Sequence, residues 1–237
     1  MAVSMNAQAG PRVEALQRYR VLDTPAEKEF DDLAELASYI CGTPIAIVTL
    51  LDGQRQWFKA KIGLGASETP IEQAFCAHAV QTPGEVMMVK DARVDSRFAT
   101  NPLVTSDPHI RFYAGAPLVT PEGVALGTLC AIDRVPRELS LGQQKALQVL
   151  ARQVVAHLEL RRTVSELMAA LEQKQAALAE VEALTSLLPI CAYCKKIRDD
   201  ADYWQHVDKY IATRSDIRFS HGICPDCYAA FFQEQQS

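Results

Sequence analysis

Arg111-Phe-Tyr-Ala-Gly-Ala-Pro-Leu-Val119 and Val124-Ala-Leu-Gly-Thr-Leu-Cys-Ala-Ile132 are two apolar runs joined by Thr120-Pro-Glu-Gly123. Pro and Gly stand where a tight reversal wants them, so the stretch predicts an antiparallel strand pair. Upstream, Ile45 to Leu51 is a β-branched strand, and Asp52-Gly53 turns it into a second strand over Gln56 to Ile62. Glu27 to Ile40 places Phe30, Leu33, Leu36, Ala37 and Ile40 on one helical face, and Cys41-Gly42-Thr43-Pro44 ends that helix. Ile71 to Val80 reads as a short helix. Antiparallel strands covered by helices make an α+β domain.

The composition fits this. Of 237 residues 49% are hydrophobic and 22% charged, which excludes wholesale disorder. A net charge of −5 disfavours a chain built to coat nucleic acid or anionic membrane. The longest nearly unbroken apolar run, Pro44 to Leu51, is too short to span a bilayer. Met1-Ala-Val-Ser-Met-Asn6 lacks the basic-then-apolar order of a secretory signal, so the expected location is the cytoplasm.

Four parts are expected: a flexible start (1–11), an α+β domain (12–140), a long helix (141–188) and a small tail (189–237). Residues 141–188 contain no Pro and one Gly. Core positions counted from His157 are His157, Leu160, Val164, Leu167, Leu171, Lys174, Leu178, Val181, Thr185 and Leu188, seven of the ten apolar. Spacings of three and four are the coiled-coil template. Leu147, Leu150 and Val154 are expected to lie on the first domain. The rest of the stripe, on a helix of roughly 70 Å, predicts a parallel homodimer whose register is fixed by His157, Lys174 and Thr185.

Seven cysteines divide unevenly, and the tail holds two CxxC pairs, Cys191-Ala-Tyr-Cys194 and Cys224-Pro-Asp-Cys227, separated by 29 residues. Two such turns supply four thiolates in the set that structural zinc prefers. Lys195 and Lys196 offset the negative charge. A tail this small needs a staple, and bound metal contributes on the order of 10 kcal/mol in comparable domains. His221 is an alternative ligand or a neighbour of the ligands, with His206 weaker. Asp202 to Ala212 is expected to be a helix with Trp204, Val207 and Ile211 on one face. Six basic against seven acidic residues in the tail disfavour nucleic acid, leaving a protein partner.

The segment from about Arg12 to Leu160 resembles the GAF domain of bacterial signalling proteins. The resemblance is carried by Val21-Leu-Asp-Thr-Pro25, Gln56-Trp-Phe-Lys-Ala60, Phe75-Cys-Ala-His78, Asp91-Ala-Arg-Val-Asp-Ser-Arg-Phe98, Arg111 to Leu118 and Gly127-Thr-Leu-Cys-Ala-Ile-Asp133. It implies an antiparallel sheet of about six strands, a small-molecule pocket on one face, and a C-terminal helix feeding a dimeric signalling coil. The tail is similar to a short cysteine module at the ends of other bacterial signal-transduction proteins.

Candidate ligand contacts are Cys76, His78, Asp91, Arg97, Arg111 and Tyr113. A thiol and an imidazole two residues apart can border a pocket, and Arg97 or Arg111 can clamp an anion. Against this stand plain packing of Cys76 and His78 and local ion pairing in the 91–98 run. Ala77 separates the cysteine from the histidine that bilin-bearing GAF domains place side by side. Cys41, Cys76 and Cys130 do not reproduce the loop cysteines of GAF-type methionine sulfoxide reductases, and no P-loop, GxSxG or HExxH motif is present. The sequence therefore reads as a sensor and adaptor acting by contact. A zinc-thiolate redox switch and a thiol enzyme with Cys76 as nucleophile are the competing readings.

Overall fold

The computed structural model describes residues 9–185, 188–199 and 201–233. They fall into two compact units that divide between Ala169 and Ala170.

The first unit is built on a six-stranded sheet. Its strands are β1 (Ile45–Leu51), β2 (Arg55–Ile62), β3 (Glu68–Pro70), β4 (Met87–Val89), β5 (Phe112–Val119) and β6 (Ala125–Asp133), in the order β3-β2-β1-β6-β5-β4. Every neighbouring pair is antiparallel. The reversals use the expected chemistry: Asp52 N–H donates to the Arg55 carbonyl with Gly53 at φ 99°, and Gly123 takes φ 85° after Thr120.

Strands β1 and β6 are buried along their whole length because helices and loops cover both faces. Alternation along β1 sorts the core. Ala46, Val48 and Leu50 meet α1 (Ala9–Tyr19), α2 (Lys28–Cys41) and the start of α5 (Leu141–Thr185), through Leu16, Phe30, Ala37, Leu147, Val154 and Leu158. Ile45 and Ile47 face the other way, toward Phe75, Phe98, Val104 and Tyr113. Gly127 lets β6 lie against β1, since a Cβ there would lie 1.9 Å from the Thr49 carbonyl oxygen.

Two local expectations are corrected. Helix α1 begins at Ala9, inside the stretch expected to be flexible; residues 1–8 lie outside the described residues. Ile71 to Val80 is not one helix but a 3-10 turn over Ile71–Gln73 and then α3 (Cys76–Ala79), because Ala74 adopts extended backbone between them. A further single turn, α4 (Pro102–Thr105), is capped by the Asn101 side chain.

Helix α5 runs 45 residues. Its buried positions end at Leu158, after which Leu160, Val164, Leu167, Leu171, Leu178 and Val181 are all exposed. His157 packs edge-on against Phe30 at 6.1 Å, so the α+β domain takes up the first expected heptad position. Leu188 lies beyond the end of the helix.

The second unit holds a two-stranded sheet, β7 (Ile197–Arg198) with β8 (Trp204–Gln205), then α6 (Val207–Ala212) and α7 (Pro225–Gln233). Trp204, expected on a helix, is instead in β8 opposite Arg198, whose guanidinium lies 5.9 Å from its ring. Only the second half of the expected helix forms.

Candidate functional site

The expected ligand residues separate into three groups. Cys76 and Tyr113 are fully buried with Cys130, Thr49 and Thr128. Tyr113 Oη lies 3.3 Å from Thr128 Oγ1, which is 3.2 Å from Thr49 Oγ1, and Cys130 Sγ donates to the Ile47 carbonyl. Burial drives the Cys76 thiol and the Tyr113 phenol far above their ordinary values and pushes the Cys130 thiol up to about 12. Both thiols stay protonated, which is the wrong state for a nucleophile. The space beside them is filled with rings: Phe75 stacks on Phe98 at 4.0 Å and tilts against Tyr113 at 5.2 Å.

His78 stands at the edge of this packing, T-shaped to Phe98 at 4.9 Å. Partial burial, and then the positive charge of Arg97, hold its pKa below the ordinary value. Arg97 caps the Phe98 ring at 5.0 Å and pairs with Asp95. Asp91 and Arg111 form the third group. Asp91 pairs with Arg93, while Arg111 donates to the carbonyls of Val104 and Ile110. Structure thus gathers Cys76 with Tyr113 and His78 with Arg97; local partners occupy Asp91 and Arg111.

Sequence reasoning passed over a polar junction on the opposite, helical face. Lys59 lies mid-strand in β2 with its side chain wholly buried. Its Nζ donates to Thr24 Oγ1 at 2.9 Å, the Pro25 carbonyl at 2.8 Å and Glu27 Oε1 at 2.6 Å, above the Phe30 ring. The same Glu27 oxygen pairs with Arg161 Nε of α5 at 3.1 Å. Arg161 also donates to the carbonyls of Tyr19 and Arg20, and the Tyr19 hydroxyl donates to Glu159. One carboxylate therefore ties the sheet to the helix at the point where α5 leaves the core. The legible signal was a lysine inside the apolar run Gln56-Trp-Phe-Lys-Ala60: a cation buried there needs a partner.

In the second unit each CxxC pair is drawn into a thiolate-favouring turn. Backbone N–H groups of Cys194 and Tyr193 hold the Cys191 thiol below its usual pKa. The chain then turns through Lys195 at φ 59°, letting Ile190 bridge to Ile197. Cys224 and Cys227 sit at the start of α7, where Cys227 N–H points at Cys224 Sγ at 3.5 Å and lowers that thiol in turn. Among the described residues no three His, Cys, Asp or Glu side chains gather into one metal-sized cluster, and His221 is exposed.

A family model described as the GAF domain matches residues 25–158, from the turn before α2 to the last buried turn of α5. The chain belongs to the GAF family. It is 44% identical over 146 residues to the cyclic di-GMP phosphodiesterase PA2567 of Pseudomonas aeruginosa, a match covering 61% of this chain and 25% of that protein. The chain thus matches about a quarter of the length of that curated relative. Among solved structures, the GAF domain of an Acinetobacter phosphoenolpyruvate-protein phosphotransferase superposes with a TM-score of 0.50 at 17% identity, over 69% of this chain and 98% of that one. The PixJ GAF domain of Thermosynechococcus elongatus, in its blue-light absorbing form, also gives 0.50, at 16% identity, over 68% and 95%. These last two likenesses concern the fold. No helix among the described residues is long and apolar enough to cross a membrane.

Proposed function

We propose that this GAF protein is a cytoplasmic signal-transduction sensor and adaptor: the GAF domain detects a small molecule or redox state, α5 pairs with its copy in a parallel coiled coil, and the tail engages a partner protein. The observation that carries this reading is the change along α5. Its apolar residues are buried as far as Leu158 and then stand exposed at heptad spacing from Leu160 to Val181. Such a stripe is poorly soluble alone and is satisfied by a second copy. The likeness to a protein named for cyclic di-GMP turnover supports a role in signalling.

Signal transfer requires that the ligand favour one setting of α5 over another, by a coupling of about 1–3 kcal/mol. The Glu27 junction suits that task, because it joins β2, the segment before α2, and α5 through one carboxylate. Truncation of residues 164–188 tests the helical part: the shortened protein is expected to be monomeric by light scattering, and a persistent dimer would contradict it.

In the tail, Cys191, Cys194, Cys224 and Cys227 would hold structural zinc. The two preformed thiolate turns support this reading, the ion supplying the staple that a unit with so few buried residues lacks. A second reading, a redox switch, draws on the exposure of Cys194, Cys224 and Cys227. Mild peroxide would then release the metal and thiol would restore it, whereas an inert site would exclude the switch.

A further inference from the structure

Helix α5 lies between two surfaces of opposite charge. On one side α2 runs antiparallel to it over β1 and β2: Phe30, near the start of α2, touches His157, and the Ile40 carbonyl, near its end, accepts from Gln143 Nε2. On the other side Gln148 Nε2 donates to the Gly84 carbonyl, beside a groove of about 450 Å³ lined by Pro83 and by Pro117 and Val119 of β5. Lys145 and Arg152 of α5 border that groove, which is therefore basic and apolar. The outer face of α2 is acidic and apolar. Asp32, Glu35, Leu36 and Tyr39 border a shallow hollow there, and Tyr39 is 84% exposed. Asp32 is paired with Lys28, but Glu35, Lys145 and Arg152 make no ion pair among the described residues.

Between these surfaces α5 carries an exposed ridge of its own. Val149, Gln153, Ala156 and Leu160 recur at spacings of four and three and lead into the exposed stripe that begins at Leu160. A two-fold axis along this ridge turns the helical layer of one copy over onto that of the other. Whatever lies on the α2 side of α5 in one copy then meets the groove side of the second, and parallel chains keep the two at the same height. The heights match. Glu35 and Tyr39 lie between the points where α2 is tied to His157 and Gln143, as Lys145 and Arg152 do on α5.

We infer that the GAF domains of two copies also dock on each other, the outer face of α2 in each seated on the basic groove of the other. Leu36 and Tyr39 cover the apolar lining, and Glu35 meets Arg152 across the two-fold, so the contact is made twice. A second copy is the fitting occupant because one symmetry operation satisfies both surfaces at once, carboxylate against cation and apolar against apolar. This contact rests on the parallel coiled coil proposed above and adds to it, since exposed ion pairs contribute too little to hold a dimer without the coil.

Sedimentation equilibrium of the full-length protein, reading the dimer dissociation constant, tests the contact. Glu35→Arg and Arg152→Glu each set like charges opposite one another at both contacts, and each is expected to weaken the dimer at least tenfold. Their combination restores opposite charges and is expected to return the constant to within about threefold of wild type. Both replaced side chains are exposed, so all three variants are expected to melt with the wild type. Single variants that dimerise as tightly as wild type would overturn the GAF contact and leave the coiled coil standing. A combined variant weaker than either single change would do the same. A monomeric wild type would overturn the coiled coil and this contact with it.

Discussion

Glu27, one residue before α2, and Arg161, in α5, form an ion pair of 3.1 Å on the carboxylate oxygen that also takes the buried Lys59 ammonium at 2.6 Å. Glu27 is about one-third exposed, so its pairing with Arg161 is screened, while the bond to Lys59 compensates a fully desolvated cation.

Glu27→Ala strands that cation and is expected to destabilise the GAF unit by about 2–3 kcal/mol, read from the urea midpoint. Lys59→Met/Glu27→Leu, which removes both charges, is expected to recover most of the loss. An Ala variant as stable as wild type would show that the junction carries no net energy.

Gly127→Ala is expected to cost at least about 3 kcal/mol, because the added methyl meets the Thr49 carbonyl of a fully buried neighbouring strand. Gly142→Ala, at a helix position where the added methyl meets only the Ser140 hydroxyl at an ordinary 3.8 Å, serves as the control and is expected to melt no lower than wild type. Thermal unfolding distinguishes the two.

How much of this was readable in advance depends on the range of each interaction. Strands β1, β2, β5 and β6 were visible because β-branched runs and Asp-Gly or Pro-Glu-Gly turns are local signals. Three-residue edge strands such as β3 and β4 are too short to show alternation. Helix α1 escaped notice because Gly10 and Pro11 near its start resemble a loop. In the candidate site, the pairing of Asp91 with Arg93 and Asp95 with Arg97 was legible from adjacency. That of Glu27 with Arg161 was not, since no periodicity links residues on opposite ends of the domain. The stacking of Phe75 on Phe98 beside Tyr113 was not legible, because it brings together residues far apart in the chain.

His78 gives the fold a pH dependence of defined sign. Its folded pKa is held below the ordinary 6.5, first by burial and then by Arg97, with Asp95 opposing. The unfolded chain therefore takes up a proton that the folded chain resists, so stability falls as pH drops from about 6.5 toward the lower folded value. His78→Gln is expected to flatten the urea midpoint between pH 7.5 and 5.5. An unchanged slope would mean that another group sets it.

Thiol accessibility separates the seven cysteines. Cys41, whose thiol burial pushes up to about 11, and the still more buried Cys76 and Cys130 are expected to be silent toward a thiol reagent in the native protein. With chelator present, Cys191, Cys194, Cys224 and Cys227 are expected to react rapidly, and stoichiometric zinc is expected to protect all four. Equal reactivity with and without zinc would contradict the metal reading.

The most direct test of the proposed signalling path is the solution mass of the intact protein by light scattering, compared with Leu167→Glu/Leu171→Glu. Both leucines are exposed on α5, so the variant leaves the GAF core intact. A coiled-coil dimer predicts twice the 26.2 kDa chain mass for wild type and a single chain mass for the variant. A monomeric wild type, or a dimer that both charges leave undisturbed, would contradict the account.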